Sequence, residues 1–171
     1  MESIKLIRIH TRKFDDYFDP TEELVTKYEF IYDENEKPCG LTIIDSCQYS
    51  QENADENWRE VYKWIKEDEE RIHDYERGVW YSFGIEAVAT LHFPMEITEA
   101  KIIQRIKSPG TCGVESDYSD SEIEDIEERE VIELFDMLRS MRVEIPDDFL
   151  CELSFSHEKV SVDYLVSKYI G

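Results

Sequence analysis

The sequence predicts an α+β fold, a mostly antiparallel sheet with two long acidic helices packed on one face. Three features carry this reading. From Tyr81 to Phe93 an apolar side chain stands at every second position, the period of a half-buried strand. Residues 53–76 and 121–142 instead repeat apolar residues at helical spacing. The remaining positions of both helical stretches are crowded with Asp and Glu.

Taken in order, Ile4 to His10, Glu23 to Tyr32 and Gly40 to Ser46 read as strands. The stretch Asp33-Glu34-Asn35-Glu36-Lys37-Pro38 is a turn, so residues 1–48 predict an antiparallel meander. Phe14 to Pro20 is a loop rich in Asp and aromatics. The helix at 53–76 carries its stripe on Trp58, Val61, Tyr62, Ile65 and Ile72, with Asn53 or Asp55 as cap and Gly78 just past its end. The strand that follows turns at Pro94-Met95-Glu96 into Ile97 to Ile106, which gives a hairpin within 79–107 expected at the centre of the sheet. After the loop Ser108 to Gly113, Ser121 and Glu124 match a capping box. They open an acidic helix, 121–142, whose inner face is Ile123, Val131, Leu134, Leu138 and Met141. Pro146 breaks the pattern, and the segment 146–171 predicts a short strand and a terminal helical turn. With 171 residues, no internal repeat and no low-complexity linker, a single domain is expected.

An apolar fraction of 41 %, with 3 Trp, 10 Tyr and 8 Phe, is enough to build a core and excludes a disordered chain. No apolar run approaches the roughly 18–20 residues that span a bilayer. The start, Met-Glu-Ser-Ile-Lys, lacks the pattern of a signal peptide, so a cytoplasmic location, away from membranes, is expected. Cys39, Cys47, Cys112 and Cys151 form no Cys-x-x-Cys pair and are expected as reduced thiols.

Charge is the unusual property. The 41 acids outnumber the 19 bases, for a net charge of −22. Such a chain repels nucleic acid and anionic membranes and attracts basic surfaces. The two acidic helices differ in kind. Between Glu52 and Arg77, ten acids meet five bases. Lys63 and Glu67, Lys66 and Glu70, and Glu67 and Arg71 are spaced to pair as on an ordinary solvated face. From Ser121 to Asp136 stand eight acids, Glu122, Glu124, Asp125, Glu127, Glu128, Glu130, Glu133 and Asp136, with Arg129 the only base. Glu115, Asp117 and Asp120 extend the run upstream. Sixteen helical residues span roughly 24 Å, so these carboxylates recur about every 3 Å, close to the phosphate spacing of one DNA strand. Neutralising Glu124, Asp125, Glu127, Glu128 and Glu130 together is expected to leave the fold intact, because it relieves like-charge repulsion.

No motif for catalysis, cofactor or metal binding is expected to operate. With 41 acids, carboxylate pairs arise by chance. Asp117 to Glu122 lacks the spacing of a Ca²⁺ loop. His10, His73, His92 and His157 share no ligand spacing, and no Gly-x-Ser-x-Gly element or phosphate-binding loop is present. The bases Lys5, Arg8, Arg12 and Lys13 are too few for a nucleic-acid patch.

Within 81–141 the order is Tyr81-Ser-Phe-Gly-Ile85, Ile103-Gln-Arg-Ile106, Ser108-Pro-Gly110, Gly113-Val-Glu-Ser-Asp117, then an acidic helix from Glu122. This resembles a family of small uncharacterised phage and prophage proteins. The resemblance departs at Cys112, where a large apolar residue is expected. It implies a mobile-element origin and carries no activity. Acidic anti-restriction proteins are similar in size and charge, but no close match to them is visible.

The expected function is therefore not enzymatic. It is that of an inhibitor that imitates nucleic acid, blocking a basic, nucleic-acid-binding host protein, such as a restriction or CRISPR defence protein. Its partner-binding residues would be Glu115, Asp117, Asp120, Glu122, Glu124, Asp125, Glu127, Glu128, Glu130 and Glu133. The alternative is a phage interaction or structural protein that uses an aromatic patch such as Phe14, Tyr17 and Phe18.

Overall fold

In the computed structural model the described residues are 4–15, 19–94 and 101–170. The fold is α+β with a mostly antiparallel sheet, and the chain divides into two compact units. One unit comprises Met1–Tyr17 and Phe83–Gly171, the other Phe18–Ser82. No helix among the described residues is long and apolar enough to cross a membrane.

The smaller unit holds α1 (Pro20–Leu24), the hairpin β2 (Lys27–Tyr32) and β3 (Pro38–Asp45), and α2 (Gln51–Glu76). Asp33 shapes the hairpin turn, its side chain accepting the backbone N–H groups of Asn35 and Lys37. Helix α2 packs on this hairpin. Ala54, Val61 and Ile65 meet Leu41, and Tyr28, Phe30, Trp58 and Tyr62 close the cluster with edge-on ring contacts. Its cap is Ser50, three residues before the expected Asn53, which instead answers Ser50 as the third helical residue. Lys63 pairs with Glu67 at 3.4 Å as expected, whereas Lys66 takes Glu69 rather than Glu70.

In the larger unit the strands are β1 (Lys5–Phe14), β4 (Ser82–Pro94), β5 (Lys101–Lys107), β6 (Thr111–Glu115), β7 (Leu150–Glu152) and β8 (Lys159–Ser161). They lie in the order β5-β4-β1-β7-β8, with β6 also paired to β4. Helix α3 (Asp120–Ser140) and the terminal α4 (Val162–Tyr169) complete the unit. Phe83, Ile85, Ala87, Ala89 and Leu91 are all buried, as their period-two spacing predicts. Ala87, Ala89 and Leu91 share a core with Val131, Leu134, Phe135 and Leu138 of α3 and with Ile9, Cys151 and Leu165, while Phe83 and Ile85 cluster with Val114, Ile123 and Ile126.

Three expectations are corrected. The first strand does not join a meander with β2 and β3. It lies between β4 and β7, antiparallel to one and parallel to the other. The two long helices do not share a sheet face, since α2 covers the β2–β3 hairpin and α3 the larger sheet. Of the predicted hairpin, β4 is central but β5 is an edge strand. Residues 95–100, which hold most of the predicted turn and the start of the predicted second strand, lie outside the described residues. Period and spacing identify a strand or a helix, but not which neighbour each one buries its face against.

Candidate interaction surface

Helix α3 opens on Ser119, two residues before the expected cap. The Ser119 hydroxyl accepts the N–H of Glu122, and the Glu122 carboxylate accepts the Ser119 N–H at 2.9 Å and its hydroxyl at 2.6 Å. That hydroxyl holds the Glu122 carboxyl below its ordinary range. An acid here also faces the positive end of the helix dipole.

One turn further in, the acidic helix departs from the predicted surface. Glu127, Glu128 and Glu130 are buried, at 0 %, 0 % and 3 % exposure. Each is held by the protein itself. Glu127 accepts from the Thr11 hydroxyl, the N–H groups of Phe155 (3.0 Å) and Ser156 (3.1 Å), and the Ser156 hydroxyl. Glu130 accepts from the hydroxyls of Ser108 and Thr111, both at 2.5 Å, and from the Gly110 N–H. Glu128 accepts from Lys168 at 2.6 Å and Tyr169 at 2.7 Å, both on α4, and its other oxygen has no partner.

The hydroxyls do more than cap carboxylates. Thr11 Oγ1 accepts the Ser154 N–H, and Ser108 Oγ accepts the Ala87 N–H, each at 2.8 Å, before donating inward. Glu127 thus fastens β1 and the 154–156 turn to the helix, while Glu130 fastens the 108–111 loop. Buried polar groups are tolerable only when so satisfied. The loop that the sequence presents as a bare turn is therefore a structural clamp.

These three glutamates leave the predicted binding set. They are interior acceptors, and because Glu127 and Glu130 accept on both oxygens, changing these two to Gln turns an amide nitrogen toward a donor, so the joint change is expected to destabilise the fold. A signal for Glu127 stands in the sequence: Ile123, Glu127, Val131, Leu134 and Leu138 form one helical stripe, in which a glutamate takes a core position. Glu130 and Glu128 flank that stripe without such a mark.

Of the other predicted residues, Asp117, Asp120, Glu122, Asp125 and Glu133 are exposed, and Glu115 and Glu124 are half-buried. Asp125 pairs with Lys168 at 3.1 Å, which holds its carboxyl below the usual range. Asp136 lies 3.6 Å from Arg139. With three of eight acids inside, the accessible charge on α3 falls to about one per 5 Å, sparser than a phosphate strand. Asp117 and Asp120 add to it, and no Lys or Arg occurs between Lys107 and Arg129.

Of the alternative aromatic patch, Phe14 lies against Gly84 and Gly110, where an added methyl group would strike its ring. Tyr17 and Phe18 lie outside the described residues. Among the described residues no group of three His, Cys, Asp or Glu side chains could hold a metal ion. No cysteine is in a disulfide. No protein-family model matches the chain, and no curated protein or solved structure matches it either.

Proposed function

We propose that the protein is an inhibitor of phage or other mobile-element origin that imitates nucleic acid. It occupies the basic groove of a DNA- or RNA-binding host protein in the cytoplasm, a restriction or CRISPR defence protein being the natural target. One observation carries this reading, the excess of surface carboxylates that remains after the interior ones are removed. Taking Glu86, Glu127, Glu128 and Glu130, the acids buried among the described residues, out of the 41 leaves 37 against 19 bases. The acidity is shared evenly, since Phe18–Ser82 holds 18 acids and 7 bases and the other unit 23 and 12. A surface this acidic accelerates encounter with a basic groove, and most of its contacts are sensitive to salt.

The test is capture from host lysate over a salt series. A nucleic-acid-binding protein that is captured, then released by salt and by added DNA or RNA, supports mimicry. The variant Asp120→Asn/Glu124→Gln/Glu133→Gln should lose that capture while melting like the parent. Capture that resists salt, or that the variant retains, would favour an interaction or structural protein instead. A specific feature favours that second reading: Ile31, Tyr32 and Ile44 on the β2–β3 hairpin are 47 %, 57 % and 57 % exposed.

A further inference from the structure

The sheet of the larger unit has one face under α3 and α4, and its opposite face has the wrong sign for this protein. Strand alternation and pairing place Lys5, Arg8 and Arg12 of β1 on that face, opposite His92, Thr90 and Glu86 of β4. Arg105 and Lys107 of β5 lie opposite Thr90 and Val88 on the same face, since Ile106 between them packs into the core. On the far side Glu152 of β7, next to buried Cys151, pairs in register with Lys159 of β8. Among the described side chains of β1, β4, β5, β7 and β8 this face carries six Lys and Arg against Glu86 and Glu152, on a chain of net −22.

The arrangement has a direction. Arg8 and Arg105 stand on either side of half-buried Thr90, so two cationic rails run along β1 and β5, while Val88 and Glu86, further along β4, are already buried at 1 % and 7 % exposure. Strands two apart are separated by roughly 10 Å, about the width of one helix or extended chain. The long basic side chains are accessible, with Arg8, Arg12 and Lys107 at 55 %, 41 % and 49 %. Carboxylates are already what these bases hold: Glu86 is gripped by Arg12 at 2.5 Å and Lys107 at 3.1 Å, and Glu152 by Arg8 and Lys159. Lys5 and Arg105 have no ion pair among the described residues.

We propose that the accessible basic side chains of this sheet face, Lys5, Arg8 and Arg12 along β1 and Arg105 and Lys107 along β5, are a docking site for an acidic polypeptide segment of a partner. Charge complementarity requires an anionic occupant. A single-stranded nucleic acid fits less well, because base stacking needs exposed rings. Among the described residues of these strands the only Phe, Tyr or Trp on this face is Phe14, whose ring is spent against Gly84. The site is independent of the acidic surface proposed above and opposite to it in sign.

The test is fluorescence anisotropy of the full chain with a fluorescein-labelled glutamate-rich peptide, with an oligothymidylate of equal charge in parallel. The peptide should bind, and more tightly than the oligonucleotide. Its affinity should fall as salt rises. Lys5→Glu/Arg105→Glu should weaken it by about tenfold or more, while Lys37→Glu/Lys63→Glu, with the same change in net charge, should leave it nearly unchanged. If the first variant melts below the parent, Lys5→Gln/Arg105→Gln takes its place, with a smaller loss in the same direction. No peptide binding, equal weakening by the control, or tighter binding of the oligonucleotide each overturns the proposal. So does sedimentation of the parent as a dimer that Lys5→Glu/Arg105→Glu dissociates, which would make a second copy the occupant.

Discussion

The Thr11 hydroxyl of β1 donates to the carboxylate of Glu127 on α3, joining residues 116 positions apart inside a fully buried contact. Phe155 and Ser156 donate to the same carboxylate. Glu127→Ala removes one acceptor and strands several buried donors, each costing about 1–3 kcal/mol when left unmade. A loss of about 3–5 kcal/mol is the expected result, read as a lower urea midpoint at unchanged slope. Glu127→Gln should lie between this variant and the parent, since its amide nitrogen must face a donor. Glu133→Gln, on the exposed face, should stay within about 0.5 kcal/mol of the parent. Equal midpoints for the two Gln variants would show that Glu127 is not the clamp described.

Ile85 of β4 is fully buried between Phe83 and Val114. Ile85→Asp would place an unpaired charge there, at a cost comparable to the whole stability of a small domain. The variant should accumulate as insoluble chain or show no cooperative melt. A soluble variant with the parent's transition would refute this account of the core.

Much of this core is legible in the sequence, and the reason is periodicity. The alternation from Phe83 to Leu91 and the stripe Val131, Leu134, Leu138 each record one buried face, so element type and inner face follow directly. Pairing is another matter. Nothing in Ile4 to His10 says that its neighbours will be β4 and β7, because strand partners are chosen by long-range packing. Charge misleads for a related reason. Glu128 and Glu130 look like solvated acids, and only the positions of Lys168 and Ser108 in the fold reveal that each is an interior acceptor, whereas Glu127 is marked by its place on the apolar stripe. By the same token Lys5, Arg8 and Arg12 look like too few bases until β4 and β5 bring Arg105 and Lys107 alongside them. Lys13, the fourth of that group, faces the other way, its ammonium over the Phe83 ring.

The thiols should separate into two classes. Cys39, Cys47 and Cys112 are exposed, whereas Cys151 is buried in the core and burial pushes its thiol up to about 12. Thiolate is the reactive form. Three thiols should therefore react with DTNB promptly in the native protein at neutral pH, and the fourth at the rate of unfolding. In denaturant without reductant all four should react. Four prompt equivalents in the native state would place Cys151 at the surface.

His10 lies on the basic sheet face, where partial burial, and then the neighbouring Arg8, lower its pKa from the ordinary value. The sign follows from which state binds the proton. The unfolded chain takes it up as pH falls through about 6.5, while the folded one resists, so His10 favours the folded state above that pH. This contribution shrinks as pH falls toward the lowered folded value. His10→Gln should lose less stability than the parent between about pH 7.5 and 5.5. Parallel curves for the two proteins would remove His10 from the acid response.

Lys168 supplies the last and most selective prediction. From α4 its ammonium reaches Glu128 at 2.6 Å and Asp125 at 3.1 Å, and these carboxylates hold its pKa above the ordinary lysine value. The two carboxylates are not equivalent, since Glu128 is fully buried and Asp125 is exposed. Lys168→Met therefore does little to Asp125, which water can solvate, but leaves Glu128 a buried carboxylate with only the Tyr169 hydroxyl. Removing one partner of a buried pair costs about 3–5 kcal/mol, at the low end here because Lys168 itself is partly exposed. Adding Glu128→Gln removes the charge that lost its partner, so the double variant should be more stable than Lys168→Met alone. The two substitutions would then couple by more than about 1 kcal/mol in a double-mutant cycle. Asp125→Asn in the same background should rescue nothing. Were Asp125→Asn to rescue as well as Glu128→Gln, burial would not distinguish the two carboxylates, and Glu128 would not be the partner that decides the effect.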